Sequence, residues 1–196
     1  MKTAVHRHLL VFALLSVTCV GLVLAGCGDS GEDPSPAPDY AKKLAGAPAP
    51  LASLYEQANE LLPGGTDAFD ERIKGLHGYP AVVNVWASWC GPCRAEFPVF
   101  QKTAAAMGKK VGFLGVNAQD NDDAANTFLS THQVPYPSYT DPDADIAHDL
   151  GATHGYPATA FYDAEGNLTY TKSGPFENQA ELEDAIRQYA INGDSG

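Results

Sequence analysis

Cysteine and positive charge are both scarce in this sequence, and each shortage narrows what the chain can be. Only 4 Cys occur in 196 residues, at positions 19, 27, 90 and 93. Four are too few for a disulfide-built miniprotein, and a chain of this length buries a core without staples. Lys and Arg number 12 against 24 Asp and Glu, for a net charge of −12. Nucleic acid and anionic membrane surfaces are held by clustered Lys and Arg, so this chain binds neither by charge. Between Lys110 and Lys172 there is neither Lys nor Arg. No internal repeat is present. The length fits one domain of ordinary size with appendages.

Long apolar runs are equally rare, and the one that exists is N-terminal. Lys2 and Arg7 precede an uncharged stretch from Leu9 to Ala25. Such a run could span a bilayer. It ends, however, in Leu24-Ala25-Gly26-Cys27 rather than in a basic stop-transfer cluster. Small residues before a cleavage point suit the narrow pocket of a signal peptidase. This tetrad resembles the lipobox of bacterial lipoproteins, which implies a signal peptide over 1–26 and lipidation of the Cys27 thiol. The alternative is an uncleaved helix with an incidental cysteine. Either places the remainder outside the cytoplasm. Cleavage would remove Lys2 and Arg7, leaving 10 basic residues against 24 acidic ones. An acyl anchor is driven by burial of methylenes at about 0.8 kcal/mol each and needs no help from that charge.

Residues 27–50 are rich in Gly, Ser, Asp, Ala and Pro, with Pro34, Pro36, Pro38, Pro48 and Pro50. That composition cannot bury a core and predicts a disordered, lipid-anchored tether, reaching about 70 Å if extended. The folded domain is then expected over 51–192, with a short tail at 193–196.

Within it, Ser53-Leu54-Tyr55-Glu56 has the form of a capping box, predicting a helix that Pro63-Gly64-Gly65 ends. A short helix from Thr66 places Phe69 and Ile73 on one face. Ala81–Trp86 and Val111–Val116 are short, apolar, β-branched runs of the kind found in buried central strands. A helix is expected from Gly91 to Met107, another over Asn121–His132, and a turn or two over Asp145–Leu150. Ala158–Tyr162 and Leu168–Lys172 read as strands joined by a hairpin turn with Gly166 at positive φ. Leu182, Ala185, Ile186 and Tyr189 mark a final amphipathic helix. This order predicts an α/β sandwich with a mixed sheet.

Trp89-Cys90-Gly91-Pro92-Cys93 lies where the first buried strand meets its helix. Two cysteines three apart at a helix start can reach each other, and the helix dipole favours the thiolate of the first. Cys90 then suits the attacking nucleophile and Cys93, one turn inside, the resolving role. Pro92 stands where a missing N–H costs nothing. The alternative is half of a zinc clip. Zinc would need two more ligands, and His132, His148 and His154 show no i, i+4 spacing. No metal and no cofactor is expected.

The segment Val85-Trp86-Ala87-Ser88-Trp89-Cys90-Gly91-Pro92-Cys93-Arg94-Ala95-Glu96-Phe97-Pro98 resembles the active-site region of the thioredoxin fold. More narrowly, it resembles the TlpA/ResA-like thiol-disulfide oxidoreductases, which are extracytoplasmic and tethered to the bacterial membrane. The resemblance runs from about Leu54 to Tyr189. It implies a thioredoxin-like three-layer α/β/α sandwich with a mixed sheet and a TlpA-type central insertion, here Asp120–Asp149. It implies catalytic roles for Cys90, Cys93, Glu96 and Pro157, with Trp89, Gly91, Pro92 and Tyr156 meeting the substrate. Gly155-Tyr156-Pro157 stands where the fold has a cis-proline facing the disulfide, Tyr156 offering backbone groups to an extended substrate. A trans proline at a strand start is the alternative.

Asn84 departs from thioredoxin, which has a buried, proton-accepting Asp six residues before the first cysteine. Glu96 resembles a relocated acceptor, as in ResA-like proteins; the alternative is an exposed helix carboxylate paired with Arg94 or Lys102. Gly-Pro between the cysteines resembles the dipeptide of reducing thioredoxins, which implies a reductase. Its substrates would be exported protein disulfides, including those of apocytochrome c, and its electrons would come from a membrane donor of the CcdA or DsbD kind. Two other classes stay open. One is a Sco-type copper module, whose motif has three residues between its cysteines where this one has two. The other is a non-catalytic binding lipoprotein.

Asp141, Asp143 and Asp145 have the spacing that opens an EF-hand loop, but Ile146 stands where Gly is required and Ala152 where Glu is required. The acidic stretch from Asp120 to Glu165 reads as a solvated face that could select basic partners. Asn167-Leu168-Thr169 fits a glycosylation sequon that a bacterial lipobox makes incidental.

Overall fold

In the computed structural model residues 38–195 are described. The expected signal peptide, Cys19, the lipobox-like tetrad with Cys27 and the expected linker as far as position 37 lie outside them. No helix among the described residues is long and apolar enough to cross a membrane.

The chain runs through α1 (Tyr40–Leu44), α2 (Ala49–Tyr55), β1 (Leu61–Leu62), α3 (Gly65–Gly75), β2 (Ala81–Trp86) and α4 (Gly91–Met107). It continues through β3 (Gly112–Ala118), α5 (Asp122–Thr131), β4 (Ser138–Asp141), α6 (Asp145–Asp149), β5 (Ala158–Tyr162), β6 (Leu168–Ser173) and α7 (Gln179–Ala185). From Ile186 to Ile191 the last helix widens into π-type turns. The six strands form one sheet in the order β1-β4-β3-β2-β5-β6. The first four in that order are mutually parallel, and β5 runs antiparallel to both of its neighbours, β2 and β6.

Alternation along β2 builds both faces of the core. Val82 and Trp86 join Phe97, Phe100, Phe113, Phe128, Phe161, Leu182 and Ile186 on the side covered by α4, α5 and the last helix. Val83 and Val85 join Leu51, Leu54, Phe69, Ile73, Leu114 and Val116 on the side covered by α2 and α3. The expected three layers and mixed sheet are present. Asn84 shares the pleat face of Val82 and Trp86, so it looks towards α4.

Two expectations near the start of the domain are corrected. The tether was expected to reach Pro50, yet α1 and α2 lie before or across that point, and Leu44, Leu51 and Leu54 are buried. Asp39 caps α1, accepting from the Lys42 N–H at 3.1 Å. Pro48 and Pro50 sit at the N-cap and in the first turn of α2, where proline starts a helix instead of preventing one. The expected helix from Ser53 to Pro63 ends at Tyr55, and Ser53 lies inside α2 with its hydroxyl donating to the Pro50 carbonyl at 2.8 Å. Asn59 turns the chain out of the helix at φ 65. It is held there by bonds from its N–H to Tyr136 O (3.0 Å), from its amide to Leu129 O (3.2 Å) and from the Val134 N–H to its Oδ1 (3.1 Å). The segment Asp120–Asp149 supplies α5, β4 and α6, so it extends the sheet.

Candidate active site

The site is built at the C-terminal end of β2. Four residues after Trp86 the chain enters α4 with Cys90 as the N-cap, and its Sγ accepts the Cys93 N–H at 3.2 Å. Cys90 and Cys93 are joined by a disulfide. Gly91 and Pro92 occupy the exposed first turn. Cys93 is fully buried, whereas Cys90 retains 5% exposure. The more accessible sulfur therefore lies at the helix start, where peptide dipoles stabilise negative charge.

Trp89 is the most exposed large apolar side chain among the described residues, at 61%. Its indole N–H donates to Gln119 O at 2.9 Å, and its ring lies 6.1 Å from that of Tyr156. The Tyr156–Pro157 peptide is cis. The register pairs Val85 with Ala158, which sets Pro157 opposite the end of β2 from which Trp89 and Cys90 emerge. Trp89, Cys90, Gly91, Pro92, Tyr156 and Pro157 are thus brought to one edge of the sheet.

Glu96 follows one turn after Cys93 and is 1% exposed. Arg94 instead reaches Ser88 O (3.4 Å) and lies over the Phe128 ring, so the exposed Glu96 pair with Arg94 or Lys102 does not form. The Asn84 amide donates to Glu96 Oε1 at 2.6 Å, and the Phe176 N–H donates to Oε2 at 3.1 Å. Burial pushes the Glu96 carboxyl up from 4.5 to about 7, even though those two bonds and the Lys172 charge all favour the ionised form. Across β2 and β5 Asn84 faces Thr159, and neither Asn84 Oδ1 nor Thr159 Oγ1 has a hydrogen-bond partner.

Two elements of the site had no signal in the sequence. The Phe176 N–H comes from a turn 80 residues beyond Glu96, and a backbone donor leaves no trace in residue identity. Asp120, read only as part of an acidic face, fixes the loop before Cys90. It accepts from the Ser88 N–H (2.5 Å) and hydroxyl (2.9 Å), Asn117 Nδ2 (2.9 Å) and the Asn121 N–H (2.8 Å). Burial pushes its carboxyl up, but these bonds outweigh burial and hold it below the ordinary value. Asp141 is a helix anchor, accepting from the Ile146 and Ala147 N–H groups at 3.2 and 2.8 Å. No group of three or more His, Cys, Asp or Glu able to hold a metal lies together among the described residues.

The family model described as Redoxin matches residues 44–186. The chain is 33% identical to the thiol:disulfide interchange protein DsbE of Allochromatium vinosum, across 96% of this chain and 97% of that one. It is 42% identical over 92 residues to DsbE of Pseudomonas fluorescens biotype C, across 46% of this chain, and spans about half (49%) of that relative's length. Among solved structures, MTB DsbF in mixed oxidised and reduced forms superposes with a TM-score of 0.52 at 32% identity, across 58% of this chain and 83% of that one.

Proposed function

The chain belongs to the Redoxin family, and from that premise we propose that it is a membrane-tethered, extracytoplasmic thiol–disulfide oxidoreductase that reduces disulfides in exported proteins. The observation that carries this reading is the asymmetric cysteine pair: Cys90 at the N-terminus of a 17-residue helix, and fully buried Cys93 one turn before the carboxyl of Glu96.

The chemistry balances as follows. The Cys90 thiolate attacks one sulfur of a substrate disulfide, forming a mixed disulfide and releasing the first substrate thiolate. Cys93 passes its proton to Glu96 and attacks Cys90 Sγ. The second substrate thiolate leaves, two electrons have moved to the substrate, and Cys90–Cys93 is oxidised. Two electrons and two protons from a membrane dithiol donor, of the CcdA or DsbD kind, restore the pair. Glu96 suits the transfer because a carboxyl near 7 exchanges a proton readily at neutral pH. Trp89, Gly91, Pro92 and Tyr156 form the surface that receives the substrate strand, with Pro157 turning the Tyr156 backbone towards the sulfurs. Cys27 carries the lipid. Exported disulfides, those of apocytochrome c among them, are the substrate class, and the Gly-Pro dipeptide favours the reducing direction.

Trapping tests this reading. Cys93→Ser should stall the mixed disulfide on Cys90, giving adducts that reductant releases, and the wild type should reduce insulin where Cys90→Ser does not. No adduct beyond the Cys90→Ser background, together with equal insulin reduction, would remove the oxidoreductase reading.

A further inference from the structure

Glu96 has no cation of its own in contact. Its bond from the chain beyond β6 comes from the Phe176 N–H, on the turn Gly174–Phe176. Nothing in the sheet ladder fixes the far part of that turn. Lys172, at the end of β6, reaches over it: its ammonium donates to Gly174 O at 3.2 Å and to Pro175 O at 2.8 Å. The same nitrogen lies 4.5 Å from the centre of the Phe176 ring. One cation thus grips two carbonyls and the aromatic face of the residue whose N–H meets Glu96, an arrangement that fixes both position and electrostatics.

We propose that Lys172 is the positioning residue for Glu96, clamping the Gly174–Phe176 turn so that the Phe176 N–H stays on the carboxylate while its own charge lies behind that bond. The inference rests on the reading of Glu96 as acceptor of the Cys93 proton. Both effects of Lys172 act in one direction. A held N–H and a nearby positive charge each favour ionised Glu96 over the protonated acid.

The other groups around Glu96 cannot substitute. Cys93 precedes it on α4, and Asn84 from β2 is uncharged. Buried Tyr136, before β4, is itself pushed up by burial and by the charges of Tyr40 and Glu96. Glu181 on α7 lies 4.0 Å from Lys172 and moderates its charge at the surface. Lys172 is therefore where a partly exposed side chain, 26% accessible, sets the protonation of a buried one.

The experiment titrates Glu96 in the reduced full chain by carbon-13 NMR of labelled Glu carboxyls, the signal assigned by its loss in Glu96→Gln. Thiolate absorbance is followed in parallel. In Lys172→Met and Lys172→Gln the Glu96 midpoint should move to higher pH by about half a unit or more, and Lys172→Arg should restore it. Lys172→Met should leave the thiol titration of Glu96→Gln unmoved, because the effect passes through the carboxyl. An unchanged Glu96 midpoint in both charge-free variants overturns the proposal. So does an equal thiol displacement with and without Glu96, which would mean that Lys172 acts on the sulfurs directly. If Glu96→Gln alone leaves the thiols unmoved, the role of Glu96 as acceptor falls, and the carboxyl midpoint still decides the role of Lys172.

Discussion

Replacing Glu96 with Gln should make the oxidised protein more stable at neutral pH, and the size of the gain follows from the burial of one carboxyl. The folded protein holds its Glu96 proton up to about pH 7, while the unfolded chain releases it near 4.5. Between those values the folded state binds more protons than the unfolded one, so stability falls as pH rises. At 1.36 kcal/mol for each unit of difference, the loss accumulates to about 3 kcal/mol and is complete above roughly pH 8. Glutamine keeps the side-chain length and an oxygen for the Phe176 N–H, and the Asn84 amide can turn its unpartnered Oδ1 to the new N–H₂. Working in the oxidised form keeps thiol titration out of the comparison. Urea unfolding at a series of pH values is the assay. The two proteins should match near pH 4 and diverge to about 3 kcal/mol at pH 8, which is about 1.5 M in midpoint at a slope near 2 kcal/mol/M. Asp120 and Asp163 carry carboxyls held below their ordinary values and contribute the opposite slope at acid pH, equally in both proteins. Parallel stability curves would refute the reasoning, because Glu96 would then ionise alike in the folded and unfolded chains.

Gly115→Ala should destabilise by about 1–3 kcal/mol or more, since a Cβ there would run into Ser138 Oγ and lie 3.1 Å from Trp86 Nε1; a thermal melt reads it. It should also break the Trp86–Ser138 bond of 3.1 Å, visible in the tryptophan emission. Asp120→Ala strips the Ser88 N–H of its acceptor and should cost about 1–3 kcal/mol, with faster amide exchange at Ser88. Leu44→Ala should cost about 2–3 kcal/mol in urea unfolding, because α1 belongs to the folded domain, whereas a truly disordered tether would register no change.

What the sequence revealed depended on how locally each feature is encoded. Ala81–Trp86 and the helix from Gly91 are written in contiguous residue types, and the structure places both where the pattern does. The same holds for the hairpin turn, where Gly166 takes φ 81 and Asp163 accepts from the Asn167 N–H at 2.8 Å. The two-residue β1 exists only through its pairing with β4, Leu61 opposite Ser138, and the four-residue β4 through its pairing with β1 and β3, so neither has a pattern of its own to find. The Pro-rich composition that marked 27–50 as a tether concealed two helices because proline has opposite meanings in a helix interior and in its first turn. In the site, the cysteines and cis-proline were legible as a motif, and Glu96 as a position. Its surroundings were not, because Asn84, Phe176 and Lys172 are joined to it only by tertiary packing.

That dispersal has a consequence for the order in which the chain is made. Synthesis delivers a polypeptide N-terminus first, so both cysteines emerge while the Phe176 N–H, 80 residues beyond Glu96, is still to come. Until β6 and the turn after it are laid down, the protein holds its thiols while Glu96 lacks its backbone donor. On the proposed reading the acceptor is completed only by the C-terminal part of the chain, and a chain truncated before Lys172 would display the redox motif without the Phe176 N–H on Glu96.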